Sequence, residues 1–364
     1  MNAWQEKAIS QSALVCEQLQ LQHHRNLEPQ KLQFHARWNL ITGENGSGKT
    51  ALLEALYLLS RGKSFRSSKH QHVIRHGQSA LWLYSIWQRQ GELERVGLQR
   101  EAHQYRLHLN EQPTAQSALA QRLPLQLIHH EGLDLALDSP EVRRRLLDYG
   151  VFYHNPLFLH HWQRYHHALK QLNAALRGQQ TWLDGWYHWL LEHGLAIDSY
   201  RREYLQALQS ALNYYHHHLG GLAEIELRYQ RGFSEAMSLA ECLEKYRERD
   251  CKLGYVKDGV HRADIGFYAQ GQNVAHCYSR GEQKTLISAL LLAQAFLIRE
   301  KTGVMPVMLV DDVGAELDKK RQALLLHLLD ESGAQCFVTH LNALDLPYEH
   351  KRFELENGVV CALA

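Results

Sequence analysis

The sequence predicts an α/β fold in which a mixed sheet with flanking helices carries an antiparallel β subdomain and an inserted α-helical domain. Three observations predict this class. A short apolar strand over residues 39–42 runs into a glycine-rich loop, and residues 51–60 then have helical periodicity. Apolar runs suited to central parallel strands recur at residues 307–310 and 336–339. Between the glycine-rich loop and these apolar runs, residues 141–250 are helical in pattern and rich in aromatic side chains.

The order of the remaining elements follows from local patterns. Alternation predicts strands over residues 14–21 and 32–34, joined by a turn near Arg25 and Asn26, and an antiparallel meander over residues 81–87, 93–99 and 104–109. Ser139 is a candidate helix N-cap before Pro140, and breaks are expected near residues 155–156, 178, 194 and 220–221. The absence of a sustained heptad argues against a long coiled coil. We therefore predict a head domain over residues 1–138 and 251–364, and an inserted helical domain over residues 139–250.

The composition is that of a soluble globular protein. The chain has 364 residues, of which 45% are hydrophobic and 22% charged, and its net charge is +1 with neutral histidines. Any nucleic-acid surface must therefore be a local basic patch. The six cysteines include no C-x-x-C pair, which gives no sign of a disulfide framework or zinc site and fits a reducing cytosol. The most apolar stretch, residues 286–298, is too short to span a bilayer, so no membrane partner is expected.

The 25 histidines are unusually many for a chain of this length. We interpret them as surface composition. The alternative is a binding surface whose affinity rises below pH 7, where histidine becomes charged.

The glycine-rich loop has the phosphate-binding pattern G-x-x-x-x-G-K-T, with a strand before it and a helix after it. Its glycines let backbone N–H groups converge on phosphate oxygens, and the helix N-terminus adds favourable partial charge. Lys49 is expected to contact the β and γ phosphates of ATP, and Thr50 is expected to ligate Mg²⁺. The predicted nucleotide-binding residues of this P-loop are Gly43, Glu44, Asn45, Gly46, Ser47, Gly48, Lys49 and Thr50.

Two carboxylates follow the apolar run at residues 307–310. Asp311 is the expected partner of Thr50 at Mg²⁺, and Asp312 stands where the attacking water would be polarised. Because most ABC enzymes have glutamate there and aspartate reaches less far, slow hydrolysis is expected. The alternative is that the two aspartates only cap a strand.

A third segment, Ser279-Arg280-Gly281-Glu282-Gln283-Lys284, precedes the apolar helix and looks like the signature of ABC-type ATPases. In that class the serine and the helix N-terminus meet the γ-phosphate held by the other subunit, so an ATP-driven dimer is expected. Asp318 matches the interface D-loop, and His340 matches the switch position that senses the γ-phosphate. The alternatives are a simple helix cap for Ser279 and a strand-end histidine for His340.

Basic residues cluster after the P-loop helix and around the predicted helical domain. Such clusters are usually solvated faces, but on an ATPase with a signature they are candidates for contacts to DNA phosphates. No base-reading motif is present, so binding is expected to depend on shape and charge. The three consecutive arginines have a structural alternative, in which buried pairs hold the helical domain in place. The candidates are Lys63, Arg66, Lys69, Arg143, Arg144, Arg145 and Arg262.

Four segments together resemble the RecF family. They are the P-loop, Gly62-Lys63-Ser64-Phe65-Arg66, the R-R-R-x-L-D pattern of residues 143–148, and Gly259-Val260-His261-Arg262-Ala263-Asp264. Arg25-Asn26 adds to the resemblance, which runs in order from about residue 14 to the C-terminus. The departures are Val260, where the family often has proline, and Arg280 and Glu282, where it frequently has glutamine.

The resemblance implies an ABC-type P-loop ATPase head with an inserted helical domain, similar to the heads of SMC proteins without their long coiled coil. It implies an ATP-dependent homodimer on double-stranded DNA and gap junctions, with ATP and Mg²⁺ as cofactors and weak, DNA-stimulated hydrolysis. Family partners are RecR, RecO and RecA, in DNA repair, replication-fork recovery and SOS induction. The expected location is the cytoplasm, at the nucleoid. Catalytic roles fall on Lys49, Asp311, Asp312 and His340, and further nucleotide contacts on Arg25, Asn26, Ser279, Gly281 and Asp318.

Three other classes compete with this interpretation. In an ABC transporter subunit the signature lies much closer to the P-loop than Ser279 lies to Thr50. A purely structural SMC-like clamp needs a long heptad-bearing arm, and a metabolic P-loop kinase has no signature serine. DNA affinity that depends on ATP would separate the predicted class from the transporter and the kinase.

Overall fold

The structure is a computed structural model that describes residues 14–67, 69–129, 137, 139–178, 183–342 and 346–363. The chain divides into two compact units. The first comprises Met1–Leu133 and Ile298–Ala364, and the second comprises Asp134–Leu297. The sequence-based division assigned residues 251–297 to the head, whereas in the structure these residues belong to the second unit.

Strands and helices are numbered here in chain order. The strands are β1 Leu14–Gln22, β2 Gln30–Gln33, β3 Trp38–Gly43, β4 Ala80–Arg89, β5 Glu92–Glu101, β6 Tyr105–Leu109, β7 Gln112–Pro113, β8 Leu125–Ile128, β9 Ile225–Gln230, β10 Asp264–Ala269, β11 Gln272–Asn273, β12 Val307–Val310, β13 Cys336–His340, β14 His350–Glu356 and β15 Val359–Leu363. The helices are α1 Lys49–Arg61, α2 Gln116–Arg122, α3 Pro140–His154, α4 Phe158–Arg177, α5 Asp184–His218, α6 Leu239–Lys245, α7 Arg247–Leu253, α8 Val274–Cys277, α9 Arg280–Thr302, α10 Val313–Glu316 and α11 Lys319–Ser332.

A mixed sheet forms the centre of the first unit. Within the described residues its order is β15-β14-β3-β13-β12-β8, with β15 antiparallel to β14 and the other neighbours parallel. All four residues of β12 are buried, as predicted for a central parallel strand. Because the carboxyl ends of β3, β13 and β12 lie at the same edge, the P-loop, His340 and Asp311 leave the sheet side by side.

The predicted meander belongs to a second sheet of the first unit. Its order among the described residues is β2-β1-β4-β5-β6-β7, and its pairings are antiparallel. One face packs into the core through side chains such as Leu83, Leu98 and Leu107. The other face points to solvent, which is the alternation that an antiparallel sheet covered on one side produces.

Helices dominate the second unit, and one predicted break is wrong. Helices α3, α4 and α5 end close to the expected breaks at residues 155, 178 and 220, whereas Gly194 lies inside the 35-residue helix α5. A Cβ atom at Gly194 would stand 2.8 Å from Leu239 Cδ2 and 3.2 Å from Tyr165 Cε2. The glycine therefore allows close packing and does not end the helix.

The second unit also contains a small sheet in the order β11-β10-β9. The outer edge of β9 is paired by side chains of α5: Asn213 Oδ1 accepts from the Ile225 amide at 2.8 Å, and Gln209 Oε1 accepts from the Leu227 amide at 2.8 Å. These amide side chains replace the missing neighbouring strand and close the edge. Among the described residues, none of the helices combines the length and apolarity needed to cross a membrane.

The R-R-R-x-L-D and G-V-H-R-A-D segments pack against each other in the second unit. Arg143 forms a two-pronged ion pair with Asp264, with N–O distances of 2.9 and 2.7 Å. Arg144 donates to the Ala263 carbonyl at 2.8 Å. These contacts tie α3 to the start of β10, which is consistent with the structural alternative for the first two arginines.

A buried arginine adds to these contacts between α3 and the segment before β10, which we call the joint. Arg201 of α5 is 1% exposed; it pairs with Asp148 at 2.8 and 3.0 Å and donates to the Val260 carbonyl at 2.6 Å. The turn at Val260 is thus fixed by a side-chain hydrogen bond.

Asp148→Ala is expected to destabilise the protein by about 3–5 kcal/mol, because it leaves the Arg201 charge buried without its carboxylate partner. Urea unfolding measures the change. The matched control is Arg145→Ala, which breaks the solvent-exposed i,i+4 pair of Arg145 with Glu141 and is expected to cost less than about 0.5 kcal/mol. Equal effects of the two variants would contradict the assignment of Arg201 as the centre of the joint.

His261 makes the second unit sensitive to acid. Its Nδ1 accepts from the Tyr165 hydroxyl at 2.8 Å and its Nε2 lies 3.2 Å from the Val256 carbonyl, a pattern that satisfies the neutral ring. Burial lowers the pKa of His261 to about 4. Below pH 6.5 the unfolded chain gains a proton that the folded chain does not, so stability falls as the pH drops from about 6.5 to about 4.

From pH 7 to pH 5 this residue is expected to remove about 2 kcal/mol of stability. The difference between urea midpoints at the two pH values should shrink in His261→Gln and stay unchanged in His188→Gln, which alters an exposed histidine of α5. An unchanged difference in His261→Gln would contradict the prediction.

Candidate nucleotide-binding site

The P-loop connects β3 to α1 in a conformation that two of its glycines make possible. Gly43 has φ +147° and Gly48 has φ +118°, values that L side chains rarely adopt. A Cβ atom at Gly43 would stand 2.4 Å from the Leu355 carbonyl oxygen, and one at Gly48 would stand 2.6 Å from Leu27 Cδ2. The loop is therefore held between β14 and the segment after β1, with the N-terminus of α1 at its end.

Lys49 lies across the loop. Its ammonium donates to the Gly43 carbonyl at 2.6 Å and to the Glu44 carbonyl at 2.9 Å. Burial lowers the pKa of Lys49, and the nearby carboxylates of Asp312 and Asp311 oppose this shift. The lysine is thus a positive charge held beside the loop amides, where phosphate oxygens would bind.

Asp311 lies at the centre of a hydrogen-bonded triangle. Its Oδ1 accepts from the Thr50 hydroxyl at 3.1 Å and from the Thr339 hydroxyl at 2.8 Å. Burial raises the pKa of Asp311, while the two hydroxyl donors act to lower it. The predicted pairing of Thr50 with Asp311 is present. Thr339 was missed by sequence reasoning, although its position one residue before His340 at the end of a buried strand could have indicated it.

The oxygen atoms of Thr50 and Asp311 suit Mg²⁺, which prefers few protein ligands and completes its shell with water and phosphate oxygens. The described residues contain no group of three or more His, Cys, Asp or Glu side chains arranged to hold a metal by themselves. A metal held jointly by these two residues and a nucleotide fits this donor set.

Asp312 begins α10 in a left-handed conformation, with φ 53°. Its amide donates to the Thr339 hydroxyl at 2.7 Å. A backbone conformation of this kind is costly for a non-glycine residue and is concentrated at functional sites. The strand end therefore turns sharply and separates the directions of Asp311 and Asp312.

His340 lies on the same side as Asp312. A Cβ atom at Gly314 would stand 2.7 Å from His340 Nε2 and 3.6 Å from Asp312 Oδ1, so only a glycine there leaves room for the ring. Nδ1 of His340 lies 2.9 Å from the Asn342 carbonyl oxygen. The structure thus brings together the predicted catalytic side chains Asp311, Asp312 and His340 at one sheet edge.

A cleft of about 800 Å³ opens beside the P-loop. The tip of the β14–β15 hairpin forms one wall, where the Gly358 amide donates to the Ser47 carbonyl at 3.2 Å. The hairpin turns at Asn357 and Gly358, both of which have positive φ, and its place against the P-loop was not predicted. The cleft is lined by Asn26, Thr42, Gly43, Glu44, Asn45, Gly46, Ser47, Leu341, Asn342, Glu354, Leu355, Glu356, Asn357 and Leu363.

The turn residues Arg25 and Asn26 point to different partners. Asn26 Nδ2 donates to the Gly46 carbonyl at 3.0 Å, at the loop itself. Arg25 forms a two-pronged pair with Glu54 of α1, with both N–O distances 2.7 Å. The structure therefore places Asn26 at the predicted site and Arg25 behind it, where it braces the P-loop helix.

Glu54 is a residue that sequence reasoning missed, since it stands on a helix face that otherwise reads as apolar core. Its carboxylate is fully buried and also accepts from the Ser64 hydroxyl. Burial would raise the pKa of Glu54, but hydrogen bonds from Arg25 and Ser64 and the nearby His24 lower it overall. The carboxylate links α1 to the loop that carries Lys63, Arg66 and Lys69.

That loop lies close to the strand-end carboxylate of Asp311. The amide of Arg66 donates to the Ser64 hydroxyl at 2.9 Å, and the positive charge of Arg66 acts to lower the pKa of Asp311. Arg66 was assigned to DNA from the sequence. Its guanidinium lies within electrostatic reach of the nucleotide site as well.

The other candidate DNA-binding residues lie in the second unit. Arg143 and Arg144 are engaged in the joint described above, so their assignment to DNA is not supported. Arg145 and Arg262 are exposed, and Arg145 pairs with Glu141.

Ser279 caps helix α9. Its hydroxyl donates to Glu282 Oε2 at 2.6 Å, and the same carboxylate accepts from the Ser279 amide at 2.8 Å. The Glu282 amide donates to the Ser279 hydroxyl at 3.4 Å, so Ser279 and Glu282 form a capping box. Ser279 is exposed and Gly281 lies in the first turn.

Asp318 caps helix α11 in the first unit. Its Oδ1 accepts from the Arg321 amide at 2.9 Å, and its side chain is 56% exposed. Both predicted interface residues, Ser279 and Asp318, therefore cap a helix and remain accessible.

The P-loop, the strand-end carboxylates and the capped signature helix on this fold define an ABC-type ATPase head of the SMC class. A family model described as the RecF/RecN/SMC N terminal domain matches residues 15–348. Among solved structures, one of the recombination mediator protein RecF with ATP in the RecFOR pathway superposes with a TM-score of 0.89 at 24% identity, covering 98% of this chain and 99% of that one. The Smc head domain of Pyrococcus furiosus has a TM-score of 0.59 at 15% identity, covering 96% of each chain.

Proteins that are similar in sequence identify the family. A DNA replication and repair protein RecF from Pseudomonas aeruginosa strain LESB58 is 37% identical over 321 residues, which cover 86% of this chain and 87% of the relative. One from Hydrogenovibrio crunogenus is 36% identical over 354 residues, which cover 94% and 97%. The chain belongs to the RecF family.

Proposed function

We propose that this protein is an ATP-dependent DNA-binding recombination mediator that closes as an ATP-bound dimer on DNA. The observation that carries the proposal is the hydrogen-bonded set of Thr50, Asp311 and Thr339 beside Lys49. It places a lysine, a hydroxyl and a carboxylate at the end of a P-loop, which is the arrangement that binding of a nucleoside triphosphate requires. The relatives, which are named DNA replication and repair proteins, indicate the setting.

Binding begins with the loop amides and the N-terminus of α1, which hold the phosphates. Lys49 exchanges the Gly43 and Glu44 carbonyls for β and γ phosphate oxygens. Thr50 and Asp311 would hold Mg²⁺, which would supply charge neutralisation at the phosphates. Asn26 and Gly46 stay hydrogen-bonded and keep the loop open towards the cleft.

Hydrolysis depends on Asp312 and His340. Asp312 orients and polarises the attacking water, and His340 reports the γ-phosphate from the neighbouring strand end. The short side chain of Asp312 reaches less far than a glutamate would, so ATP turns over slowly and the nucleotide works as a switch. Arg66 adds positive charge near these carboxylates.

Closure requires a second copy of the chain. Ser279, with the N-terminus of α9, meets the γ-phosphate bound to the partner subunit, and Asp318 lies at the same interface. Exposure of both helix caps supports this role. The N-terminus of a helix attracts an anion through its positive partial charge.

Closure also builds the DNA site. Exposed cations of two subunits, among them Lys63, Arg66 and Lys69, come onto one surface and contact phosphates of duplex DNA and gap junctions. RecR and RecO act with the protein there to load RecA, in repair, fork recovery and SOS induction.

DNA binding is therefore expected to show a steeper salt dependence in ATP than in ADP. Each phosphate that is neutralised adds about −0.9 to the log–log slope of affinity against salt concentration. Titration of fluorescent duplex DNA at several salt concentrations measures this slope. Replacing Lys63, Arg66 and Lys69 together by alanine should flatten the slope in ATP.

The matched control replaces Lys170, Arg177 and Lys245, which are exposed on α4 and α6, and should leave the slope as in wild type. Equal slopes in ATP and ADP for the wild-type protein would contradict closure as the step that builds the DNA site.

A further inference from the structure

The solvent face of the antiparallel sheet in the first unit has an unusual composition. Strand register places three rows of side chains on this face, and we call them the platform. The rows are Gln22–Trp82–Gln99–Arg106, Lys31–Gln20–Tyr84–Gly97–His108, and Gln33–Gln18–Ile86–Arg95.

Two aromatic rings stand at the middle of the platform. Trp82 is 39% exposed, although the opposite face of the same strand buries Leu81 and Leu83 in the core. Trp82 and Tyr84 lie two residues apart on β4, so their Cα atoms are about 6.6 Å apart and both rings face outward. The edge of His23 packs against the Trp82 ring, with centroids 5.6 Å apart, and supports it.

The surface beside the rings is concave. Gly97 stands opposite Tyr84 and has no side chain, and a cavity of about 430 Å³ opens there. Its walls carry the amides of Gln20, Gln22 and Gln99. Aromatic faces next to uncharged donors and acceptors are the chemistry that holds a planar, polar base.

The charged side chains of the platform also favour nucleic acid. The three rows, all within the described residues, contain no aspartate or glutamate, and Glu101 appears only in the next row outward. Lys31 lies at one flank of the platform, and Arg95 and Arg106 lie at the other. A phosphate backbone that runs along either flank would therefore meet cations. The Glu101 carboxylate is held at the edge of the platform, where it accepts from Gln99 Nε2 at 3.3 Å.

We propose that the platform binds single-stranded nucleic acid, with successive unpaired bases stacked on Trp82 and Tyr84 and phosphates beside Arg95 and Arg106. A duplex would present its backbone and leave the rings without partners, because its bases are already stacked on each other. The inference rests on the proposed DNA-binding function and deepens it, since a gap offers single-stranded and double-stranded DNA to one protein.

Two fluorescent probes test the proposal on the full-length protein: a fifteen-nucleotide oligothymidine and a duplex of random sequence, each titrated in ATP. Trp82→Ala with Tyr84→Ala is expected to weaken binding of the single strand by roughly five- to a hundredfold and to leave duplex affinity within about twofold. Trp82→Phe should retain most of the affinity, because a ring is still present for stacking. Tyr214→Ala, which removes an exposed aromatic ring of α5, is the matched control.

A second variant avoids any loss of packing. The double variant Gln20→Glu with Gln22→Glu keeps the size of both side chains but places two negative charges on the platform. It is expected to weaken binding of the single strand at low salt more than at high salt. Wild-type affinity for the single strand in both platform variants overturns the proposal and leaves the face to a protein partner. Loss of duplex binding by the wild-type protein itself would instead contradict the proposed function.

Discussion

Lys49→Ala is expected to weaken ATP binding by at least about 100-fold and to leave the protein monomeric in ATP. The ammonium is held at the loop by the Gly43 and Glu44 carbonyls, and in the complex it makes charge-assisted hydrogen bonds to phosphate oxygens. Loss of such bonds from a partly buried site costs about 3 kcal/mol, which corresponds to that factor. Calorimetric titration measures the affinity, and light scattering measures the mass.

Lys351→Ala is the matched control, because Lys351 lies on β14 of the same sheet and donates only to the Gln33 carbonyl among the hydrogen bonds of the described chain. It should bind ATP and dimerise as wild type does. A Lys49→Ala protein that still dimerises in ATP at near-wild-type affinity would remove Lys49 from the site.

Ser279→Arg is expected to bind ATP with wild-type affinity and to fail to dimerise. In the proposed closed state the side chain at this position faces the γ-phosphate of the other subunit, where a long cation would block approach. The substitution also removes a helix cap, at a cost of about 1 kcal/mol. Light scattering in ATP detects the loss of the dimer.

Ser238→Arg separates the two effects. Ser238 caps α6 with Glu241 in a capping box of the same design as that of Ser279 with Glu282, so this variant suffers the same change and the same loss of a cap at another place. It should remain dimeric in ATP. A dimeric Ser279→Arg protein would argue against a signature that acts on the partner subunit.

Short-range patterns account for the parts of the fold and site that were predictable. The strand before the P-loop, the buried strand before Asp311 and the helix cap at Ser139 each depend on residues within one turn or one strand. Parallel pairing then follows, because completely apolar runs need neighbours on both faces. The meeting of the P-loop, Asp311 and His340 at one sheet edge was thus accessible from the sequence.

Long-range packing decided the rest. From the sequence alone, Gly194 predicts a helix break. The structure shows that Leu239 and Tyr165 pack against it, which explains the glycine. Glu54 sits on an apolar helix face, and only its partners Arg25 and Ser64, which lie outside that helix, explain its burial.

The basic clusters show the same limit. Arg143 and Arg144 look like solvated charges in sequence, yet their partners Asp264 and the Ala263 carbonyl lie more than a hundred positions later. A one-dimensional pattern contains no sign of which charges will meet.

The central claim is that ATP closes two copies of this chain around composite sites. Light scattering of the wild-type protein with ATP, with ADP and without nucleotide, each with and without duplex DNA, tests it most directly. The account predicts twice the monomer mass in ATP, more completely with duplex DNA present, and the monomer mass in ADP or without nucleotide. A monomer in ATP with duplex DNA present, at protein concentrations where ATP and DNA are both bound, would contradict it.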